Sequence, residues 1–195
     1  MMTIKSNEIV TITGVRGSGK SYLLKKIISK NNCFLVYDVM HEHNIEGATI
    51  IKDLSVLGFH LGKGHKKLIY RPQEISTEEF DWICNAVYRL GNRTLFVEEA
   101  NRVIQNMKIS KGASQLVDLG RHRNVGLVCI TRRIALLDKL PVSQSEHLIV
   151  FKTILPNDIK YLKEFIGEIA ETVPSLKDYN FLYHHNNETV KHLPI

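Results

Sequence analysis

A chain of 195 residues with 44% apolar and 24% charged side chains has the balance of one α/β domain, spanning 1–195, with a core of its own. No apolar run approaches the roughly 18 residues of a membrane span, and Met1–Ser6 lacks the apolar centre of a secretory signal, so neither a membrane-spanning nor an exported protein is expected. The net charge of +6 is compatible with a nucleic-acid partner without demanding one. Cys33, Cys84 and Cys129 are odd in number, far apart and set in apolar stretches. They read as buried free thiols in a reducing compartment, the cytoplasm.

In chain order, Glu8–Thr13 reads as a short buried strand. It runs into Gly14-Val15-Arg16-Gly17-Ser18-Gly19-Lys20-Ser21, a complete Gly-x-x-x-x-Gly-Lys-Ser phosphate loop. Its glycines let the backbone wrap a polyphosphate with N–H groups pointing inward. Lys20 reaches the β- and γ-phosphates, Ser21 offers its hydroxyl to Mg²⁺, and the helix opening near Lys20 points the positive end of its dipole at the anion. With Tyr22, residues 14–22 form the expected nucleotide-binding segment. The Gly17-Ser18-Gly19 run could also begin a dinucleotide fingerprint, with Asp38 as its ribose acid. The third glycine of that fingerprint is Tyr22, whose ring would block close helix–strand packing, so that reading is rejected.

Phe34–Asp38 is a second strand, with Asp38 either capping a turn or touching the site. Residues 39–67 read as loop-rich, with a short strand near 48–51 and a basic glycine-containing loop at His60–Lys67. Leu68–Arg71 is a strand stopped by Pro72. Ser76 followed by Glu79 is a capping box, opening a helix whose stripe is Phe80, Ile83, Cys84, Val87 and Tyr88 and which Gly91 ends.

Thr94–Glu99 is a buried strand that delivers two carboxylates at its C-terminal end, where open parallel sheets place their sites. Glu98 is assigned to the Mg²⁺ shell and Glu99 to the base that orients an attacking water. A helix is expected near 112–121. Asn124–Ile130 is the next strand, and Thr131 at its tip is the candidate γ-phosphate sensor. Arginines flank it on both sides. Arg121 and Arg123, before the strand, are better placed than Arg132 to reach a neighbouring subunit as an arginine finger. His147–Phe151 is a strand, Asn157 or Asp158 caps a helix through Phe165, and Tyr179–His184 pairs with Glu188–Val190 as an edge hairpin. His41/His43, His60/His65 and His184/His185 lack the partners of a zinc site and read as solvated surface.

The phosphate loop, the Leu95-Phe96-Val97-Glu98-Glu99 strand and the Gly120–Arg133 block resemble the FtsK/HerA superfamily of DNA-pumping ATPases, in particular its viral genome-packaging branch, including that of archaeal icosahedral viruses. The resemblance spans about residues 9 to 166. It implies a RecA-like P-loop fold, a mainly parallel sheet of order 5-1-4-3-2 flanked by helices, and a sensor strand between the phosphate-loop and acidic strands. It implies ATP and Mg²⁺ as ligands, hexameric rings, and double-stranded DNA in the central channel. Lys63, His65, Lys66 and Lys67, or Lys108 and Lys111, then become candidate DNA contacts. The family's sensor is usually Gln, where this chain has Thr131. The function expected is an ATP-hydrolysing motor that packages a viral genome. The alternatives are a small P-loop kinase with Arg123, Arg132 and Arg133 in its lid, and a nucleotide-dependent switch or adaptor that is not a motor.

Overall fold

The structure is a computed structural model that describes residues 3–177 and 179–192. Among these, nine strands join one sheet: β1 Ile9–Thr13, β2 Phe34–Tyr37, β3 Thr49–Ile51, β4 Lys67–Tyr70, β5 Arg93–Val97, β6 Val125–Thr131, β7 His147–Phe151, β8 Phe181–His185 and β9 Glu188–His192. Their spatial order is β3-β4-β2-β5-β6-β1-β7-β8-β9. The five central strands β7-β1-β6-β5-β2 reproduce the expected 5-1-4-3-2 order, with β6 between β1 and β5. All neighbours from β3 to β7 pair in parallel, and β8 and β9 extend the sheet as an antiparallel hairpin. This is the α/β fold of a P-loop NTPase.

Side chains alternate across the strands, so the sheet has two apolar faces. On one face Val10 and Ile12 of β1 meet Val128 and Ile130 of β6 beneath Leu23, Leu24, Ile27 and Ile28 of helix α1, Lys20–Ser29. On the other, Leu95, Val97, Leu127 and Cys129 pack against α3 (Thr77–Leu90), α4 (Lys111–Leu119) and α6 (Pro156–Ile166). Strands buried on both faces read as continuous apolar runs, which is why β1, β5, β6 and β7 stand out in the sequence.

Residues 39–67 are not loop-rich throughout. Besides β3, they contain helix α2, Leu54–Gly62, capped by Asp53, whose Oδ1 accepts from Ser55 N (2.8 Å) and Val56 N (3.1 Å). Only Leu57 and Leu61 of α2 are buried, while Val56 and Phe59 are exposed. That leaves a one-turn stripe with no apolar/polar contrast, so helical periodicity is invisible. Of the expected basic loop, 63–66 is the turn joining α2 to β4, while 60–62 closes α2 and Lys67 opens β4. The Ser76 cap of α3 is as expected, with Oγ accepting from Glu79 N at 3.1 Å. The cap expected of α6 differs. Its N-cap is Leu155, without a side-chain bond, and Asp158 turns inward instead, accepting from Arg133 Nε (3.1 Å) and Ala135 N (2.9 Å). Of the cysteines, Cys84 and Cys129 are buried thiols and Cys33 is half-buried. A further short helix, α5, covers Lys139–Ser143.

Candidate nucleotide site

β1 ends between β6 and β7, and the chain leaves it as the Gly14–Ser21 loop. At Gly14 a Cβ would lie 2.6 Å from Phe151 Cβ, so only glycine lets the loop rest on β7. Val15 N donates to Lys152 O at 2.8 Å and pins the same corner. Gly17 and Gly19 hold φ of 79° and 109°, left-handed values that turn the loop into α1. α1 has no side-chain cap at its N-terminus, so its first N–H groups face the loop cavity. Lys20 lies back along the loop, its Nζ donating to Gly14 O (2.7 Å) and Val15 O (2.8 Å). Burial, then repulsion from Arg132, hold its pKa down to about 8 against the pull of Glu99 and Glu98. Ser18 Oγ is buried without a partner. Tyr22 is exposed on α1, with Lys26 Nζ 4.7 Å above its ring.

β5 brings the two carboxylates to the same end of the sheet. Glu98 is 5% exposed, its backbone N–H still bonded to Tyr37 O of β2 at 3.1 Å, while its Oε2 has no hydrogen-bond partner. Glu99 follows in a left-handed conformation, φ 46° and ψ 46°, a costly backbone for a non-glycine residue and one that recurs at functional sites. Its Oε1 forms an ion pair with Arg132 Nε at 2.7 Å. Arg16, Gly17, Lys20, Ser21, Glu42, Glu98, Glu99, Ile130 and Arg132 line one cleft of about 300 Å³. The phosphate loop and the acidic pair thus face each other across a single cavity, with Arg132 between them.

His43 lies behind the acids. It is buried rather than solvated as expected, with Nε2 2.8 Å from Glu98 Oε1. Burial disfavours its charged form, but Glu98 outweighs that and its pKa rises. Asp38 aims this loop. Its carboxylate accepts from Glu42 N (3.1 Å) and His43 N (3.2 Å) and pairs with Arg71 Nε at 3.0 Å. Ligand atoms of Asp38, His43 and Glu98 lie within 4.8 Å of one another, but Arg71 already supplies the cation there.

The tip of β6 is locked by short-range bonds. Thr131 Oγ1 donates to Asn101 Oδ1 (2.6 Å) and accepts from Arg133 N (3.0 Å). Thr131 pairs with Thr13 of β1, next to the loop. Arg121 and Arg123 sit at the opposite end of β6, about 20 Å of strand away. Arg123 is engaged, with Nη2 donating to Arg89 O (2.7 Å) and Nε to Tyr88 O (3.4 Å) at the C-terminus of α3. The Arg121 side chain is 78% exposed, with Glu146 at 4.0 Å. Lys63, His65 and Lys66 are exposed, and Lys67 half-buried, at the N-terminal edge of β4, whereas Lys108 and Lys111 are exposed on the site side, after β5. His65 faces His60, Nδ1 to Nδ1, at 2.9 Å.

Sequence reasoning ranked Arg132 below the arginines that precede β6 and did not place His43 or Glu42 at the site. The signal for Arg132 was its position directly after the central strand. For His43 there was none, because it arrives through a turn that only Asp38 organises. The fit to a nucleoside triphosphate and its metal rests on groups that still lack partners: the uncapped α1 N-terminus, the buried Ser18 hydroxyl, and Glu98 Oε2.

No protein-family model matches the chain, and no curated protein matches it. Solved structures do. The genome-packaging NTPase of Sulfolobus turreted icosahedral virus 2, in complex with AMPPCP, superposes with a TM-score of 0.83 at 23% identity, covering 98% of this chain and 100% of the other. The DNA-packaging ATPase of Sulfolobus turreted icosahedral virus gives 0.77 at 23% identity over 98% and 100%. The N-terminal domain of zonular occludens toxin from Neisseria meningitidis gives 0.51 at 17% identity over 76% and 78%. At these identities the likeness establishes the fold.

Proposed function

We propose that the chain is an ATP-hydrolysing motor that moves double-stranded DNA, packaging a viral genome, as a member of the FtsK/HerA superfamily. The observation that carries this reading is the single cleft in which Lys20 and Ser21 face Glu98 and Glu99. The likeness to viral packaging NTPases over nearly the full length of both chains directs it to DNA. The loop N–H groups and the α1 N-terminus bind the phosphates. Lys20 leaves the loop carbonyls to meet the β- and γ-oxygens. Ser21 and Glu98 would hold Mg²⁺, which neutralises charge on the transferring phosphoryl group. Glu99 accepts the proton of the water that attacks phosphorus in line with the departing ADP. His43 keeps the Glu98 carboxylate aimed at the cleft. Arg121 is the arginine free to enter a neighbour's site in a ring, whereas Arg123 is committed to α3. Lys108 and Lys111 lie nearer the nucleotide end than Lys63 to Lys67, and either set would meet DNA through its phosphates, independently of sequence and weakening with salt.

The test is ATP hydrolysis with and without double-stranded DNA, for the native chain and Glu99→Gln. DNA should stimulate hydrolysis, and the variant should lose about two to four powers of ten while still binding nucleotide. Phosphate transfer to a small acceptor would overturn the motor in favour of a kinase. No turnover under any condition would point to a switch.

A further inference from the structure

Charge in the cleft is balanced before any ligand enters. Its lining holds three cations, Arg16, Lys20 and Arg132, and three carboxylates, Glu42, Glu98 and Glu99. Two of the cations are turned onto the protein itself, Lys20 onto its own loop carbonyls and Arg132 onto Glu99. A triphosphate that engages both of these cations therefore exchanges their internal partners for its own oxygens.

Arg132 is built for such an exchange. It leaves the tip of β6, the strand paired on one side with β1 and on the other with β5, so it stands between the phosphate loop and the acids. The residues on both sides of it are fixed. Thr131 is bonded to Asn101 and to Arg133 N, and Arg133 is held by the buried Asp158. Of the two consecutive arginines, one is a structural tie and the other is aimed into the cleft. Arg132 meets Glu99 through Nε, one of three nitrogens in a planar fork that can pair with two oxygens at once.

We propose that Arg132 is a γ-phosphate ligand supplied by the same chain, and that its pair with Glu99 is a latch that the γ-phosphate releases. This rests on the ATPase reading. With a triphosphate in the cleft, the guanidinium moves from one carboxylate oxygen to two oxygens of the γ-phosphate, a bidentate and more strongly charged partner. Glu99, freed of its cation, becomes the base available to water. A diphosphate lacks the γ-oxygens and leaves the latch closed. Readiness for hydrolysis is thereby tied to the presence of the third phosphate within one subunit, before any neighbour contributes an arginine.

The experiment is calorimetric binding of AMPPCP and ADP, each with Mg²⁺, to the native chain and to Arg132→Ala, Arg132→Lys, Glu99→Gln and Lys20→Ala. Arg132→Ala should weaken AMPPCP about tenfold or more, with ADP within about twofold of native. Arg132→Lys, a point charge without the fork, should fall between. Glu99→Gln should tighten AMPPCP but not ADP, because the competing carboxylate is gone, and Arg132→Ala should erase that gain in the double variant. Equal losses for AMPPCP and ADP, or no loss in Arg132→Ala, would overturn the proposal. Retention of both nucleotides at native affinity by Lys20→Ala would instead overturn the nucleotide site itself. Arg132 is partly exposed, so its truncation leaves folding intact, which a melting curve checks.

Discussion

The two ends of β6 carry the same residue type and use it in opposite ways. At the C-terminal end, Arg132 enters the cleft against Glu99 while Arg133 ties to Asp158. At the N-terminal end, Arg123 closes the last turn of α3 and Arg121 extends into solvent, 4.0 Å from Glu146. Charge alone therefore does not mark a functional arginine. What distinguishes them is the end of the sheet at which each lies and whether its donors are already spent. In a parallel sheet only the C-terminal end is beside the chain's own phosphates. An arginine at the other end either holds the fold together or serves a different molecule.

The contrast can be broken most severely at Arg121. If it reaches a neighbour's nucleotide, Arg121→Ala should lower DNA-stimulated hydrolysis by about three powers of ten with an unchanged melting temperature. Mixing it with Lys20→Ala subunits should restore part of the rate, and a failure of mixed rings to recover would remove it as a finger. Glu99→Gln acts at the other end and should cost a comparable amount, about two to four powers of ten, through chemistry rather than assembly. Arg123→Ala should behave in the opposite way. Losing two carbonyl contacts at the α3 terminus should cost about 1–2 kcal/mol, a fall of a few degrees in Tm, with nucleotide affinity kept. A catalytic defect without destabilisation would reassign Arg123.

The smallest effect concerns pH. Lys20 titrates at about 8 in the cleft, and a bound polyphosphate restores its proton. Binding above that pH therefore takes up a proton, so triphosphate affinity should fall as pH rises through 8, by at most about tenfold per unit. Calorimetry in buffers of different ionisation enthalpy would detect the proton. A flat profile from pH 7 to 9 would show that Lys20 keeps its charge.

The central fold was legible because its strands are buried on both faces and therefore write unbroken apolar runs. The loop at Gly14–Ser21 was legible because each fixed position has its own physical task. Helix α2 was not, since its buried residues are only Leu57 and Leu61 and its outer face carries Val56 and Phe59. Nor was the inward turn of Asp158, because an aspartate in a first helical turn looks the same whether it caps that turn or reaches a distant arginine. His43 was hidden for a related reason. Its role depends on a turn held by Asp38 and Arg71, which meet only when β2 and β4 pair.

The contact between Gly14 and Phe151 has a mechanical consequence. Phe151 packs on Phe181 of the terminal hairpin, ring centroids 5.2 Å apart, and a Cβ at Gly19 would come within 3.2 Å of the rings of both Phe151 and Tyr179. Close-packed side chains transmit displacement rather than absorb it. Any widening of the phosphate loop must push on this aromatic column, and through it on β8 and β9. The hairpin is therefore the far end of a lever whose short arm is the phosphate loop, and a probe attached there would report events at the phosphates without touching them.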